Sequence, residues 1–87
     1  IVIGNEEPTR TYILQINSFD NADDADRRRA EVLMSGVDAQ IVKKRLNNDQ
    51  TVYQVISRPM SSPEMAAQAQ RQLQNSRIDS LIVEQRR

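Results

Sequence analysis

TYILQINSF, residues 11–19, decides the fold. Aliphatic and aromatic side chains are dense there, and a two-residue period places Tyr12, Leu14 and Ile16 on one face of a strand and Ile13, Gln15 and Asn17 on the other. The period then changes. Asp20 and Asn21 are good helix caps, and Asp23, Asp24 and Asp26 complement the positive end of a helix dipole, so a helix follows directly. Its apolar stripe of Ala22, Ala25, Val32 and Leu33 is incomplete, with Arg28 and Arg29 in the middle. One of these arginines is expected to lay its methylene stem along the core edge while its charge reaches water. Gly36 stands where a left-handed residue closes a helix.

Working outward, residues 37–46 (VDAQIVKKRL) and 51–57 (TVYQVIS) read as strands around Asn47, Asn48 and Asp49, which tolerate positive φ. They form a hairpin. Pro59 is expected to end that pairing because it lacks a backbone donor. Ser62, Pro63 and Glu64 then open a second helix over residues 63–76, with Ala66, Ala69 and Leu73 on one side and Gln68, Gln70, Arg71, Gln72 and Gln74 on the rest. Residues 78–84, IDSLIVE, read as the last strand.

The order βαββαβ predicts an α+β domain of ferredoxin-like (RNP-like) form, a four-stranded antiparallel sheet with two helices on one face. The other face stays open. Strand parity assigns to it Ile13, Gln15, Asn17, Val42, Lys44, Gln54, Ile56, Leu81 and Val83. Residues 1–10 read as a tail or linker end, 11–85 as the domain and 86–87 as a tail. Because the chain starts at Ile1, a longer parent protein with an upstream anchor or signal is expected.

Composition narrows the function. A chain of 87 residues with 38% hydrophobic content supports one core, and with Tyr12, Tyr53 and Phe19 as its aromatics that core is thin and aliphatic. Twelve basic and twelve acidic residues cancel, so no field of one sign draws in nucleic acid or an anionic membrane. The absence of cysteine removes disulfides and thiolate metal sites, and the absence of histidine removes the usual general base and the commonest transition-metal ligand. The acids fall on the first helix, in the hairpin turn or at the termini, not as a pair facing across a cleft. No catalytic residue, metal site or cofactor is therefore expected. RNA-recognition modules share the βαββαβ order, but they stack bases on sheet aromatics that this open face lacks. No run approaches the roughly 20 apolar residues that span a bilayer, so direct membrane contact by this segment is not expected.

The run from Tyr12 to Phe19 resembles the opening signature of SPOR (sporulation-related repeat) domains, a strand reading aromatic, any, aliphatic, Gln, aliphatic, Gly, Ser, Phe. Ala25, Val32 and Gly36 match the family's first helix; Tyr53, Val55 and Pro59 its third strand and following turn; Ala66, Leu73 and Ile78 its second half. The likeness covers residues 11–85. Asn17 and Arg58 stand where the family usually has glycine, Met60 replaces a common aromatic, Gln54 a frequent arginine, and Arg77 a glycine that often ends the second helix. Asn17 is a mild change, whereas Arg58 requires a negative φ. The resemblance implies a noncatalytic module of the bacterial cell envelope or periplasm. Its sheet face would bind peptidoglycan glycan strands lacking stem peptides, often at the division septum, and so target a parent protein such as a division factor or hydrolase. A monomeric domain of a larger membrane-anchored or secreted protein is expected.

A glycan strand offers hydroxyls, acetamido groups and weakly apolar sugar faces, so a receptor needs amides and hydroxyls beside aliphatic platforms. The expected contacts are Gln15, Asn17, Ser18 and Gln54 as polar partners, with Ile13, Ile56, Leu81 and Val83 as an apolar floor. Lys44 and Arg58 are candidates for lactyl carboxylates. Blander readings stand beside these. Gln15 can be a solvated outward residue, Ser18 a strand-end backbone bonder, and the apolar side chains a surface covered by Ile1-Val2-Ile3, an upstream element or a second copy. The alternative function is a protein-interaction or regulatory domain that uses the same face.

Overall fold

The computed structural model describes residues 10–86. In chain order the elements are β1 (Arg10–Phe19), α1 (Ala22–Met34), β2 (Ala39–Arg45), β3 (Thr51–Ser57), α2 (Pro63–Asn75) and β4 (Leu81–Arg86). The strands form one antiparallel sheet in the order β2-β3-β1-β4. This is the expected βαββαβ architecture. β1 starts one residue before its expected limit and β4 ends two residues after its own, since Arg10 pairs with Arg86.

Both helices cover one face. Leu14 and Val55 from the central strands, Ala39 from β2, Ala25 and Val32 from α1, and Ala66, Ala69 and Leu73 from α2 form a single buried cluster. Tyr12, Ile16, Phe19, Tyr53 and Ile82 pack around it. Small residues on both helices let them approach the sheet closely, which suits a chain with few aromatics. Arg29 donates from Nε to the Ala39 carbonyl at 3.1 Å and ties α1 to β2. Arg28 instead pairs with Glu31 at 3.4 Å.

Local chemistry sets the helix limits. Asn21 caps α1, accepting from the Asp24 N–H at 2.8 Å, and Ser62 caps α2, accepting from the Met65 N–H at 3.2 Å, with Pro63 in the first turn. Both C-termini close alike. The Val37 N–H reaches the Val32 carbonyl and Gly36 N–H reaches Leu33, while Ile78 N–H reaches Leu73 and Arg77 N–H reaches Gln74. These are paired Schellman closures, with Gly36 (φ 90°) and Arg77 (φ 61°) as their left-handed residues. The two cap hydroxyls, Ser35 and Ser76, meet at 2.8 Å and join the helix ends. Ile78 is therefore a buried helix-closing residue and not the start of β4, which begins at Leu81.

Two irregularities break the sheet. Gln15 pairs with Ile56 but Asn17 with Val55, so β1 carries one extra residue there. Farther along, Tyr12 pairs with Met60 through two 2.8 Å bonds, and three residues of the β3 side, Ser57 to Pro59, face Ile13 and Leu14. The hairpin pairing of β2 with β3 ends at Ser57, before Pro59, as expected, and on the β1 side Pro59 falls within the irregularity. In the gap, the buried Ser57 hydroxyl accepts from the Leu14 N–H at 2.8 Å and stands in for a ladder carbonyl.

Candidate functional site

The register shows which side chains share the face turned away from the helices. One row crosses all four strands as Gln40, Ile56, Gln15 and Leu81. A second runs Val42, Gln54 and Ser18, and Lys44 lies beside Val52 in the row toward the hairpin. Ile13 pairs with Val83. Polar and aliphatic groups alternate along the first row, so an amide is never more than one strand spacing, about 5 Å, from an apolar platform. Gln15 is exposed and points away from the helices, as parity requires.

Between the rows lies an open concavity of about 320 Å³. Gln15, Asn17, Ser18, Gln54, Ile56 and Leu81 line it, with Ile16 and Val55 completing the wall. None of these eight is charged. Its shape follows from two local facts. The β1–β4 ladder stops at Gln15–Leu81, so β1 from Ile16 to Phe19 has no β4 partner, and the extra residue at Asn17 bends that free stretch. Backbone N–H and C=O groups on the free side of β1 therefore join the Gln and Asn amides as hydrogen-bonding groups.

Four expected contacts fall elsewhere: Val83, which pairs with Ile13 and does not line the concavity, and Ile13, Lys44 and Arg58. Ile13 is only 4% exposed and lies outside the helix-side cluster, so it offers almost no surface to a ligand. Whether Ile1-Val2-Ile3 covers part of the face lies outside the described residues. Lys44 is on the open face and exposed, but one row beyond the concavity. Arg58 leaves the face within the β3 irregularity, where its N–H bonds the Asp38 carbonyl at 3.3 Å. It borders a separate hollow with Pro59, Met60 and Met65, and its φ is negative, as its side chain requires. Gln40 was missed; it lies two residues before Val42, and carrying the strand parity back one step would have found it.

The acids are arranged in a complementary way. Asp20, Asp23, Asp24, Asp26, Glu31, Asp38, Asp49, Glu64 and Asp79 lie on helices, caps or turns, and Glu84 pairs with the inward Tyr12. Among the described residues, no carboxylate shares the open face. No helix among them is long and apolar enough to cross a membrane.

The family model described as SPOR domain matches residues 8–84, nearly the whole chain. The chain belongs to the SPOR domain family. This SPOR domain is similar in fold to two solved structures. The crystal structure of the RlpA SPOR domain from Pseudomonas aeruginosa aligns with a TM-score of 0.73 at 21% identity, over 84% of this chain and 96% of that one. The solution structure of the peptidoglycan binding domain of the B. subtilis cell wall lytic enzyme CwlC aligns with a TM-score of 0.72 at 19% identity, over 98% and 99%. No curated protein sequence matches the domain.

Proposed function

We propose that this SPOR domain is a noncatalytic module that binds peptidoglycan glycan strands through its open sheet face and carries a parent protein to the cell envelope. The observation that supports this most is the content of the concavity. Gln15, Asn17, Ser18 and Gln54 supply amides and a hydroxyl beside Ile56 and Leu81, in a wall without charge. Such a wall suits the hydroxyls and acetamido groups of a glycan. Family membership and the fold shared with a peptidoglycan binding domain point the same way. Strands stripped of stem peptides suit a shallow groove better than substituted ones, because peptide branches would collide with the sheet on either side. Lys44 lies one row away, and its ammonium would pair with a lactyl carboxylate of a strand that overruns the groove. Gln15, Asn17, Ser18, Gln54, Ile56 and Leu81 form the proposed contact set.

The test is retention on peptidoglycan sacculi, whole and amidase-treated, for the intact domain and for Gln15→Ala. Removing the peptides should raise retention and the substitution should lower it. Binding to neither preparation would overturn the reading and favour a protein partner for the exposed Leu81 edge.

A further inference from the structure

The same concavity carries a statement about which glycan it accepts, and that statement rests on the proposed function. We infer that the site selects N-acetylated strands and rejects strands whose amino sugars have lost the acetyl group.

The first observation is the chemistry of the wall. Gln15, Asn17 and Gln54 each pair a carbonyl acceptor with an NH₂ donor, and they surround an uncharged hollow. In a glycan, the acetamido group matches this set because it has one amide N–H and one C=O. The second observation is the backbone. From Ile16 to Phe19, β1 has no β4 neighbour, so its free side offers donors and acceptors at the spacing that an amide uses. An acetamido group can bond to that edge as a short piece of peptide would. Its methyl group then lies against Ile56 or Leu81, which flank Gln15 in the same row.

The third observation concerns what deacetylation would bring in. Loss of the acetyl group leaves an ammonium, which has three donors and no acceptor. No carboxylate on the open face can receive it, and the one formal charge among the face residues of β1, β2 and β3 is the cation of Lys44. The acids nearest in sequence, Asp20 and Asp79, lie in the turns after β1 and before β4 and line none of the hollow. An ammonium seated there would lose water without gaining an ion partner from the protein, and the wall's donors would be left facing another donor. Both the lost amide pairing and the unpaired charge act against binding.

The experiment uses amidase-stripped glycan strands in three forms: N-acetylated, de-N-acetylated, and de-N-acetylated then re-acetylated with acetic anhydride. Dissociation constants are measured for the wild-type domain and for Gln54→Glu, which places a carboxylate in the wall. The wild type should bind the deacetylated form at least about tenfold more weakly and regain affinity on re-acetylation. Gln54→Glu should narrow or reverse that preference. Equal wild-type affinity for acetylated and deacetylated strands would overturn the inference and leave the glycan-binding reading standing, as would an unchanged ratio in Gln54→Glu. Failure to bind any of the three forms refutes the glycan-binding reading itself.

Discussion

Deleting Asn17 should leave the domain folded while removing its hold on glycan. The reasoning is one of parity. The inward side chains of β1 are Tyr12, Leu14, Ile16 and Phe19, and the extra residue in β1 is what lets Phe19 follow Ile16 on the same face at a spacing of three. Without Asn17 the spacing becomes two throughout. Ile16 then opposes Val55, Ser18 still opposes Gln54 and Phe19 still opposes Tyr53, so the ladder becomes continuous and no core side chain changes face. The stability change should be small, about 1 kcal/mol in either direction. A matched deletion of Gln15 makes Leu14 and Ile16 neighbours and drives at least one of them outward, at about 2–5 kcal/mol. The concavity, in contrast, depends on the bend at Asn17, so the deletion should flatten it and weaken binding to stripped glycan by at least about tenfold. Urea unfolding and glycan titration of both deletions decide the matter. If the Asn17 deletion binds as wild type does, the bend is not part of the site; if it unfolds like the Gln15 deletion, the parity argument is wrong.

Other substitutions address single interactions. Ser57→Ala leaves the buried Leu14 N–H without its partner and should lower stability by about 1–3 kcal/mol in chemical denaturation, while glycan preference is unchanged in the fraction that remains folded. Arg77→Gly relieves a non-glycine residue at φ 61° and should raise the melting temperature, with a gain of about 0.5–1 kcal/mol. Asn21→Ala removes the α1 cap and should cost about 1 kcal/mol by the same measurement. Lys44→Ala should change glycan affinity less than Gln15→Ala does, because its row lies beyond the concavity.

Most of the fold was legible because each element carried its own punctuation. Asn21 and Ser62 marked helix starts, Gly36 a helix end, Asp49 a turn residue with φ 64°, and strand parity placed the open face in β2, β3 and β4 and in β1 as far as Gln15. What escaped was register irregularity. Nothing in the composition of Ile16-Asn17-Ser18-Phe19 demands a bulge until Phe19 is known to need the core. That need is a tertiary fact. The same cause displaced Arg58: a strand read as regular would carry it on the open face, two residues past Ile56, whereas the extra residue before Met60 turns it aside. Ile13 escaped for another reason, since periodicity reports the face of a side chain and not the depth of its cover.

The groove is set by the end of α2 as much as by β1. A regular strand continuing the α2 exit would begin at Ile78 and pair along β1 past Gln15, closing the free edge from Ile16 to Phe19. Instead the Ile78 N–H is held by Leu73 and its side chain by the core, which commits residues 76–78 to ending the helix. Gln70 reinforces this by donating to the Ser80 carbonyl at 2.8 Å, so the connection stays against α2 until Leu81. The left-handed residue at position 77 is thus coupled to the length of the ligand edge: it turns the chain so that β4 starts late. Glycine there would ease the turn without moving it, which is why Arg77→Gly should stabilise the domain and leave glycan affinity unchanged. A change in affinity in that variant would mean that the arginine side chain, and not only its backbone, belongs to the site.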